Sequence, residues 1–458
     1  MSDIVSARLT DSRQYGHLWG TDEIRRLFDE RSRLQSWLDI LAALASAQAT
    51  LGMIPAEAAT SIRTNADAQR LDLEVIAAET RRTSHSMLGL IRAMRDLLPP
   101  AAFEHFYAGA TVQDVTDTWF ALLMRDVGSV VWRDLRSIEQ VLLGLAVTHR
   151  DTVMAGRTHG QIGSPITFGF KVASWADEIR RHLDRLREGR DRWLTGQLGG
   201  AVGALGFFEP RGAELRAEFC AELGLVDPGI SWLTSRDRIA EFAGVLNMIC
   251  GTMARIGNEV YELQRTEIGE LHEPTSADSV GSITMPHKRN PEASEHLDTL
   301  ARLVRAQANV LTEGMVASHE RDGRAWKAEW AALPEVCLLT SVSLEMSLRM
   351  LSGLVVDHDA MAANLHAQGD SWGSEQLLAG LTGKIGKHAA QQLMHRALAA
   401  EGHELAGVIA EVVATGVATA QECHDWTGAP ALGATVAMVD EVVRRANRAR
   451  MDEPESWR

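Results

Sequence analysis

One short segment concentrates the side chains that could bind an anion and move a proton. It runs from Gly281 to Glu295 with the sequence GSITMPHKRNPEASE, and it holds hydroxyl, imidazole, cationic and carboxylate groups. Gly281 permits unusual backbone angles, while Pro286 and Pro291 prevent a helix from running through the segment. The pattern predicts a loop between two helices.

The end of this loop is predicted to start a helix. Asn290 and Pro291 are predicted to be its N-cap and its first helical residue. The positive end of the helix would then lie beside Lys288 and Arg289. Such a place could hold an anion and favour the ionised form of a nearby hydroxyl. A surface loop with incidental charge is the alternative, but the density of charge and of helix-breaking residues favours function.

Two further polar clusters interrupt the helical patterns. They cover residues 108–117 and 156–167, and like the loop they fall at the ends of long periodic segments. One end of a helix bundle could bring the three clusters together. In an antiparallel bundle, however, only every second helix end lies at the same end, which favours a site to which adjacent subunits supply some of the clusters.

Long amphipathic helices are the elements that must position these clusters. Apolar residues recur at helical spacing and no stretch alternates like a strand, which predicts an all-α protein with little β structure. Five long segments predict an elongated bundle: 113–149, 165–195, 235–270, 292–320 and 334–356. Their broad, alanine-rich apolar faces favour burial against other subunits over a long monomeric bundle.

Shorter helical patterns flank the bundle and define three predicted domains. An N-terminal helical domain covers 1–105, the bundle with its signature loop 279–295 covers 106–357, and a C-terminal helical domain covers 358–458. The tail from Met451 to Arg458 is polar and is predicted to be frayed.

Composition limits the classes of partner and compartment. The formal net charge of −15 over 458 residues argues against general nucleic-acid or anionic-membrane binding. The four cysteines lie far apart without a CxxC pair, which favours buried or free thiols over disulfides or a zinc site. No signal peptide or membrane-spanning run is evident, so we expect a cytoplasmic protein.

Several ordered motifs carry a resemblance to a known superfamily. The segment GSITMPHKRNP at 281–291 resembles the signature of the fumarase/aspartase superfamily, in particular the branch of adenylosuccinate lyase and 3-carboxy-cis,cis-muconate cycloisomerase. GATVQD at 109–114 and GRTHGQ at 156–161 are similar to its first and second motif blocks, and QRTE at 264–267 and GAVG at 200–203 fall where that branch has like segments.

The resemblance implies an assembly and a reaction. It implies a three-domain fold and a homotetramer. The five-helix bundles of the four subunits would form a twenty-helix core, and three subunits would share each active site. It also implies anti β-elimination from a small anionic dicarboxylate, a substituted succinate, without a cofactor. A doubly charged aci-carboxylate intermediate would form, so fixed positive charge should dominate catalysis.

The resemblance also implies roles for individual residues. Ser282 corresponds to the base on a mobile loop, and His159 corresponds to the general acid, oriented by Glu295 from another subunit. Lys288 and Asn290 would hold the carboxylate whose charge grows. The other implied substrate contacts are Thr111, Gln113, Thr158, Arg321, Tyr107 and His85.

Some of these assignments have open alternatives. A Thr-His-Gly turn can be structural, so His159 taken alone is no better than an even choice. His85 could equally be a partly buried structural histidine, because Ser86 replaces the acidic neighbour usual in the family. Asp114 is predicted to cap or brace the helix that follows it.

The chain departs from the family pattern around the substrate. Tyr107, Val112 and Ile283 stand where the lyases often have a histidine and two serines, which predicts a pocket of altered shape and polarity. Trp326 and Trp330 stand where adenylosuccinate lyases place a serine and an arginine for the nucleotide phosphate. Two tryptophans cannot neutralise a phosphate dianion, although they could also simply pack in the core.

These features lead to a ranked set of functions. The favoured hypothesis is a carbon–nitrogen lyase that eliminates an amino or nitro group, as from nitrosuccinate, to give fumarate. A lactone-forming 3-carboxy-cis,cis-muconate cycloisomerase is the closest alternative, and an adenylosuccinate lyase is less favoured. A non-enzymatic role, as in superfamily members that serve as lens proteins, would require a damaged site, but Ser282, His159 and Lys288 are all present.

Overall fold

Six α-helices form the N-terminal region of the molecule. The computed structural model describes residues 7–276, 280–285, 287–367, 369, 371–401 and 404–457. Side chains supply several of the N-caps, as when the Asp29 carboxylate accepts hydrogen bonds from the backbone amides of Arg31 and Ser32. The six helices are α1 (Asp22–Phe28), α2 (Glu30–Thr50), α3 (Ala56–Asn65), α4 (Leu73–Thr83), α5 (Leu88–Arg95) and α6 (Pro100–Phe103).

Five long helices build the centre of the molecule, as the sequence predicts. The elements from here to the end of the bundle are α7 (Val112–Thr148), β1 (Val153–Thr158), β2 (Gln161–Thr167), α8 (Phe168–Trp193), α9 (Gly212–Glu222), α10 (Asp237–Gln264), β3 (Leu271–His272), α11 (Glu292–Glu313) and α12 (Gly323–Ser352). The long ones are α7, α8, α10, α11 and α12, and they pack side by side around one apolar core. The expected all-α class is confirmed.

The C-terminal region returns to short elements. They are β4 (Val355–Val356), α13 (His358–His366), α14 (Ser374–Ile385), α15 (Lys387–Glu401), α16 (Leu405–Ala414), α17 (Ala420–Thr427) and α18 (Thr435–Asp452). Helices α14 to α17 share a small core of their own, whereas α18 packs on α8 and α7. The predicted domain limits at 105 and 357 remain predictions.

Buried ion pairs tie the long helices together. The Arg236 guanidinium, just before α10, pairs with Asp117 of α7 at 2.8 Å and with Glu329 of α12 at 2.5 Å, and all three side chains are at most 1% exposed. Buried charges are tolerated only when they are paired in this way. This triad therefore fixes the start of α10 beside the starts of α7 and α12.

Three sequence predictions about local structure are wrong. Helix α12 begins at Gly323, not at 334, because Asp322 caps it and Pro334 is accommodated inside the helix. The tail beyond Met451 is not frayed, because Glu453 and Trp457 are buried and the Trp457 indole N–H donates to the Leu186 carbonyl at 3.1 Å. The third concerns Asn290 and is described with the site.

Helices α10 and α12 are long and apolar enough to cross a membrane by length and composition, but most of each apolar window is buried in this fold. All four cysteines are buried and free, as predicted.

Candidate active site

The signature loop lies at the carboxyl end of α10 and the amino end of α11. A hydrogen bond joins the two ends of the loop, because the Asn290 side-chain amide donates to the Gly281 carbonyl at 3.1 Å. A Cβ at position 281 would lie 2.3 Å from the Lys288 carbonyl oxygen, so only glycine permits this close approach. Residues 279 and 286, and with them the helix-breaking role predicted for Pro286, lie outside the described residues.

Ser282 is the hydroxyl of this loop. Its Oγ accepts a hydrogen bond from the backbone N–H of Met285 at 3.0 Å, which would stabilise negative charge on that oxygen. The neighbouring Ile283 side chain is 93% exposed, so this departure from the family pattern faces outward in a single chain.

The start of α11 differs from the prediction for Asn290. Pro291 occupies the N-cap position, and the capping groups come from Glu273, whose carboxylate accepts from the backbone amides of Ala293 at 3.1 Å and Ser294 at 2.8 Å. Asn290 is instead used to close the loop. The positive end of the helix is thus already paired with a carboxylate.

A cavity of about 870 Å³ adjoins the loop. It is lined by Lys288, Asn290 and Glu295, three of the predicted site residues, and by Gln264 and His272 from the α10–β3 segment. Lys288 and Glu295 are exposed in the single chain. The cavity is large enough for a small dicarboxylate together with a leaving group.

The second polar cluster forms a β-hairpin, which sequence analysis did not predict. Strands β1 and β2 pair antiparallel, and His159 (φ 53°) with Gly160 (φ 76°) forms the two-residue turn between Thr158 and Gln161. Two consecutive positive φ angles are those of a type I′ hairpin turn. Thr158 and His159 are therefore presented at an exposed tip.

An ion pair fixes this hairpin to the end of the bundle that carries the loop. The Arg157 guanidinium makes two hydrogen bonds to the fully buried Glu270 carboxylate, at 2.5 and 2.9 Å, and the Asn364 amide donates to the same carboxylate at 2.8 Å. The hairpin tip and the signature loop thus lie at the same end of one chain. Glu270 was missed from the sequence because its partners are far away along the chain.

The first polar cluster lies at the opposite end. Thr111 caps α7 in a reciprocal capping box with Asp114, whose carboxylate also accepts from the backbone amides of Gly199 and Gly200. The bracing role predicted for Asp114 is confirmed. The Arg321 guanidinium donates to the Thr111 hydroxyl at 3.1 Å and to the Gly200 carbonyl at 2.8 Å.

Burial shifts the ionisation of this cluster. Burial raises the pKa of Asp114 to about 6, against the hydrogen bonds that favour its charged form. Burial, and then the nearby Asp114 carboxylate, raises the pKa of the Tyr107 phenol, so Tyr107 stays protonated and can donate a hydrogen bond.

Two residues predicted to contact the substrate, Gln113 and His85, form hydrogen bonds with other protein groups in the single chain. The Gln113 side chain is fully buried and its amide donates to the Leu233 carbonyl at 2.7 Å and to Asp117 at 3.2 Å. His85 is exposed, and its Nδ1 accepts from the backbone N–H of Met87 at 3.4 Å. Their roles as substrate contacts remain predictions.

The length of α10 separates the two groups of site residues. Its start is held beside α7 and α12 by Arg236, while the Gln264 side chain at its end donates to the Arg289 carbonyl of the loop at 3.5 Å. A helix of 28 residues spans roughly 42 Å. Ser282 and Lys288 of one chain therefore do not meet Thr111 and Arg321 of the same chain. Among the described residues, no group of three or more His, Cys, Asp or Glu side chains is arranged to hold a metal ion.

The described chain is thus an all-α protein with a bundle of five long helices, a serine-containing loop at one end and a threonine–arginine cluster at the other. The chain belongs to the lyase family of the fumarase/aspartase superfamily: a family model described as Lyase matches residues 19–306. The superfamily and the fold expected from the signature loop are thereby confirmed.

Characterised relatives span nearly the whole chain. The N-acetyl-S-(2-succino)cysteine lyase of Dickeya dadantii (strain 3937) is 39% identical over 97% of this chain and 98% of its own length. The 3-carboxy-cis,cis-muconate cycloisomerase of Pseudomonas aeruginosa is 35% identical over 90% of each protein. The solved structure of 3-carboxy-cis,cis-muconate lactonizing enzyme from Pseudomonas putida matches with a TM-score of 0.85 and 31% identity, covering 95% of this chain and 99% of that one.

Proposed function

We propose that this protein cleaves an S-(2-succinyl) thioether by anti β-elimination, releasing fumarate and a thiol. The observation that carries the proposal is the cavity beside the signature loop, which Lys288 and Asn290 line together with Met285, whose N–H donates to the Ser282 hydroxyl. The name of the Dickeya relative, which matches nearly the full length, favours sulfur as the leaving atom. The nitrogen leaving group predicted from sequence becomes the second candidate.

Ser282 is the proposed base. Its oxygen removes a proton from the methylene carbon of the succinyl group, and the electron pair moves into the neighbouring carboxylate to form the aci-carboxylate dianion. The C–S bond then breaks as the double bond of fumarate forms. The Met285 N–H at 3.0 Å favours the ionised serine that this step requires.

Lys288 and Asn290 are the proposed clamp for the carboxylate that gains charge. Because Glu273 occupies the first amides of α11, the Lys288 ammonium is the principal positive charge that we assign to this carboxylate. Thr111, Arg321 and Tyr107 of another subunit would hold the second carboxylate, with the protonated phenol as donor.

His159 and Glu295 are the proposed acid pair that protonates the leaving group. A thiol has a pKa of about 8.5, so a thiolate leaves with little help from an acid, whereas an amine must leave protonated. His159→Asn should therefore lower the turnover of a thioether less than that of an amine substrate.

The placement of these residues supports the proposed homotetramer with active sites shared between subunits. The two halves of the site lie at opposite ends of a helix of roughly 42 Å, so different subunits must combine to complete one site. The long helices also expose apolar side chains that a partner could cover, including Met248 and Tyr261 on α10 and Leu303 and Val310 on α11.

A substrate panel tests the proposal. The purified protein is given S-(2-succinyl)-N-acetylcysteine, nitrosuccinate, aspartate, adenylosuccinate and 3-carboxy-cis,cis-muconate, with fumarate, thiol and lactone measured separately. We expect fumarate and thiol in equal amounts from the thioether. Lactone formation without fumarate from any succinate would establish the cycloisomerase alternative, which the Pseudomonas relatives support.

A further inference from the structure

Large apolar side chains are exposed on both sides of Ser282 in the signature loop. Val280 is 70% exposed, Ile283 is 93% exposed and Met285 is 44% exposed. Single exposed apolar side chains are ordinary, but three of them on one short segment are typical of an interaction surface. We call Val280, Ile283 and Met285 the loop cluster.

A second apolar surface lies beside Thr111 at the opposite end of the bundle. The Phe207 side chain is 73% exposed, and its ring meets the buried Phe208 ring edge to face with centroids 5.3 Å apart. A Cβ at Gly109, two residues before Thr111, would lie only 2.5 Å from the Phe207 ring. Phe207 is therefore held at the protein surface next to Thr111.

Ile230, which is 75% exposed, belongs to the same surface. The Arg321 guanidinium donates to the Gly200 carbonyl at 2.8 Å. A Cβ at Gly199 would lie 2.6 Å from the hydroxyl of Ser231, the residue after Ile230. Ile230 thus lies close to the residues that Arg321 contacts. We call Phe207 and Ile230 the rim, because they border the cluster of Thr111 and Arg321.

The charges near the two surfaces are complementary. The loop sequence from 280 to 289 contains Lys288 and Arg289 and no acidic residue. Near the rim, Glu209 follows Phe207 by two residues and Glu320 directly precedes Arg321. Both carboxylates are exposed, and neither forms an ion pair within the part of the chain that the structure describes. Opposite charges favour contact between the loop and the rim.

A loop cluster cannot cover the rim of its own chain. Helix α10 separates the two ends of the bundle by roughly 42 Å. In the proposed shared site, however, Ser282 of one subunit lies beside Thr111 of another. The loop cluster and the rim of two different subunits then border the same substrate, so a second copy of this chain is the partner that fits the rim.

We propose that the loop cluster of one subunit packs onto the rim of a neighbouring subunit, with Ile283 against Phe207 and Ile230. This contact holds Ser282 next to the substrate and excludes water from it. Ile283 is then a positioning residue, and the serine that the family often has at this place would offer no comparable apolar contact. The proposal rests on the proposed function, which brings the two surfaces together.

Cross-linking between subunits tests the contact without any need for turnover. All four native cysteines are buried, so cysteines introduced at the surface react selectively with a short bismaleimide. Chains with Ile283→Cys are co-expressed with tagged chains that carry Phe207→Cys, and we expect a cross-linked heterodimer. The control replaces Phe207→Cys by Val147→Cys. Val147 is also exposed but lies at the other end of α7, roughly 54 Å from Thr111, and should give no heterodimer.

Kinetics with S-(2-succinyl)-N-acetylcysteine test the positioning role. Ile283→Ser should lower kcat/KM about tenfold or more, because the apolar area of one isoleucine is no longer buried, whereas Ile283→Leu should retain most of the activity. Phe207→Ser should cause a similar loss. The double variant should lose little more than either single variant, because both substitutions remove the same contact. Val147→Ser should leave kcat/KM unchanged.

The outcomes separate this contact from the proposed reaction. Oligomeric protein that gives no heterodimer between positions 283 and 207, or full activity of Ile283→Ser, would overturn the contact and leave the elimination reaction standing. The absence of fumarate from every succinyl substrate would overturn the proposed function. In that case a heterodimer would still support the contact, and its absence would overturn the contact as well.

Discussion

Ser282 and the Met285 amide form the smallest unit of the proposed active site. Because the Met285 N–H is the observed donor to the Ser282 oxygen, the hydroxyl is placed in a turn that favours its ionised form. Ser282→Ala should therefore lower kcat for fumarate formation by roughly three orders of magnitude or more, with an unchanged circular dichroism spectrum. Thr284→Ala, an exposed hydroxyl in the same loop, is the control. Comparable losses of kcat in both variants would mean that the conformation of the loop, and not the Ser282 oxygen, determines the rate.

His182 provides a test of ionisation outside the site. Its ring is buried against Thr252 of α10, and burial lowers the pKa of His182 to about 4. The unfolded chain takes up this proton near pH 6.5 but the folded chain only near pH 4, so stability is retained above pH 6.5 and falls as the pH decreases through that window. The contribution is at most on the order of 3 kcal/mol.

His182→Gln should remove this part of the pH dependence, because glutamine can still hydrogen-bond to Thr252 but takes up no proton. Urea unfolding at several pH values between 6.5 and 4 measures the difference. The exposed His388→Gln is the control and should keep the wild-type slope. An unchanged slope in His182→Gln would show that other groups dominate acid unfolding.

At the scale of elements, Glu273 couples the β3 segment to the start of α11. It satisfies two backbone amides and the Ser294 hydroxyl, so it defines where the signature loop ends. Glu273→Gln leaves one oxygen in place of two and should cost about 1 kcal/mol of stability. Amide hydrogen exchange at 293–294 should accelerate, and kcat/KM should fall several-fold as the loop loosens. Glu292→Gln removes an exposed charge from the same turn and should leave exchange at these amides unchanged.

The sequence predicts features that depend on residues close together in the chain, and it misses features that depend on residues far apart in the chain. The five long helices follow from apolar spacing within each segment, and the signature loop follows from its own glycine and prolines. Glu273 and Glu270 accept hydrogen bonds from residues 20 and 113 positions away, respectively, and no local sequence pattern predicts such contacts. The start of α12 was misplaced because Pro334 looks like a helix boundary, while the Asp322 cap and the apolar packing of α12 override that signal.

At the scale of the whole molecule, the long helices bear on the proposed sharing of each active site between subunits. The triad of Arg236, Asp117 and Glu329 fixes one end of the bundle, and the Arg157–Glu270 pair fixes the hairpin at the other. In the proposed site, each chain would therefore contribute two half-sites that lie roughly 42 Å apart. Substrate chemistry then depends on assembly, and dilution to monomers should abolish turnover.

Mixing two inactive variants tests this division directly. Ser282→Ala damages the half-site at the loop, and Arg321→Met damages the half-site at the opposite end. If each site combines half-sites from different subunits, co-refolded mixtures contain sites with both residues intact, and random assembly should restore roughly a quarter of the wild-type activity. A mixture that assembles into hetero-oligomers by native mass spectrometry but stays as inactive as its parents would place both residues of each site in the same chain and refute the shared site.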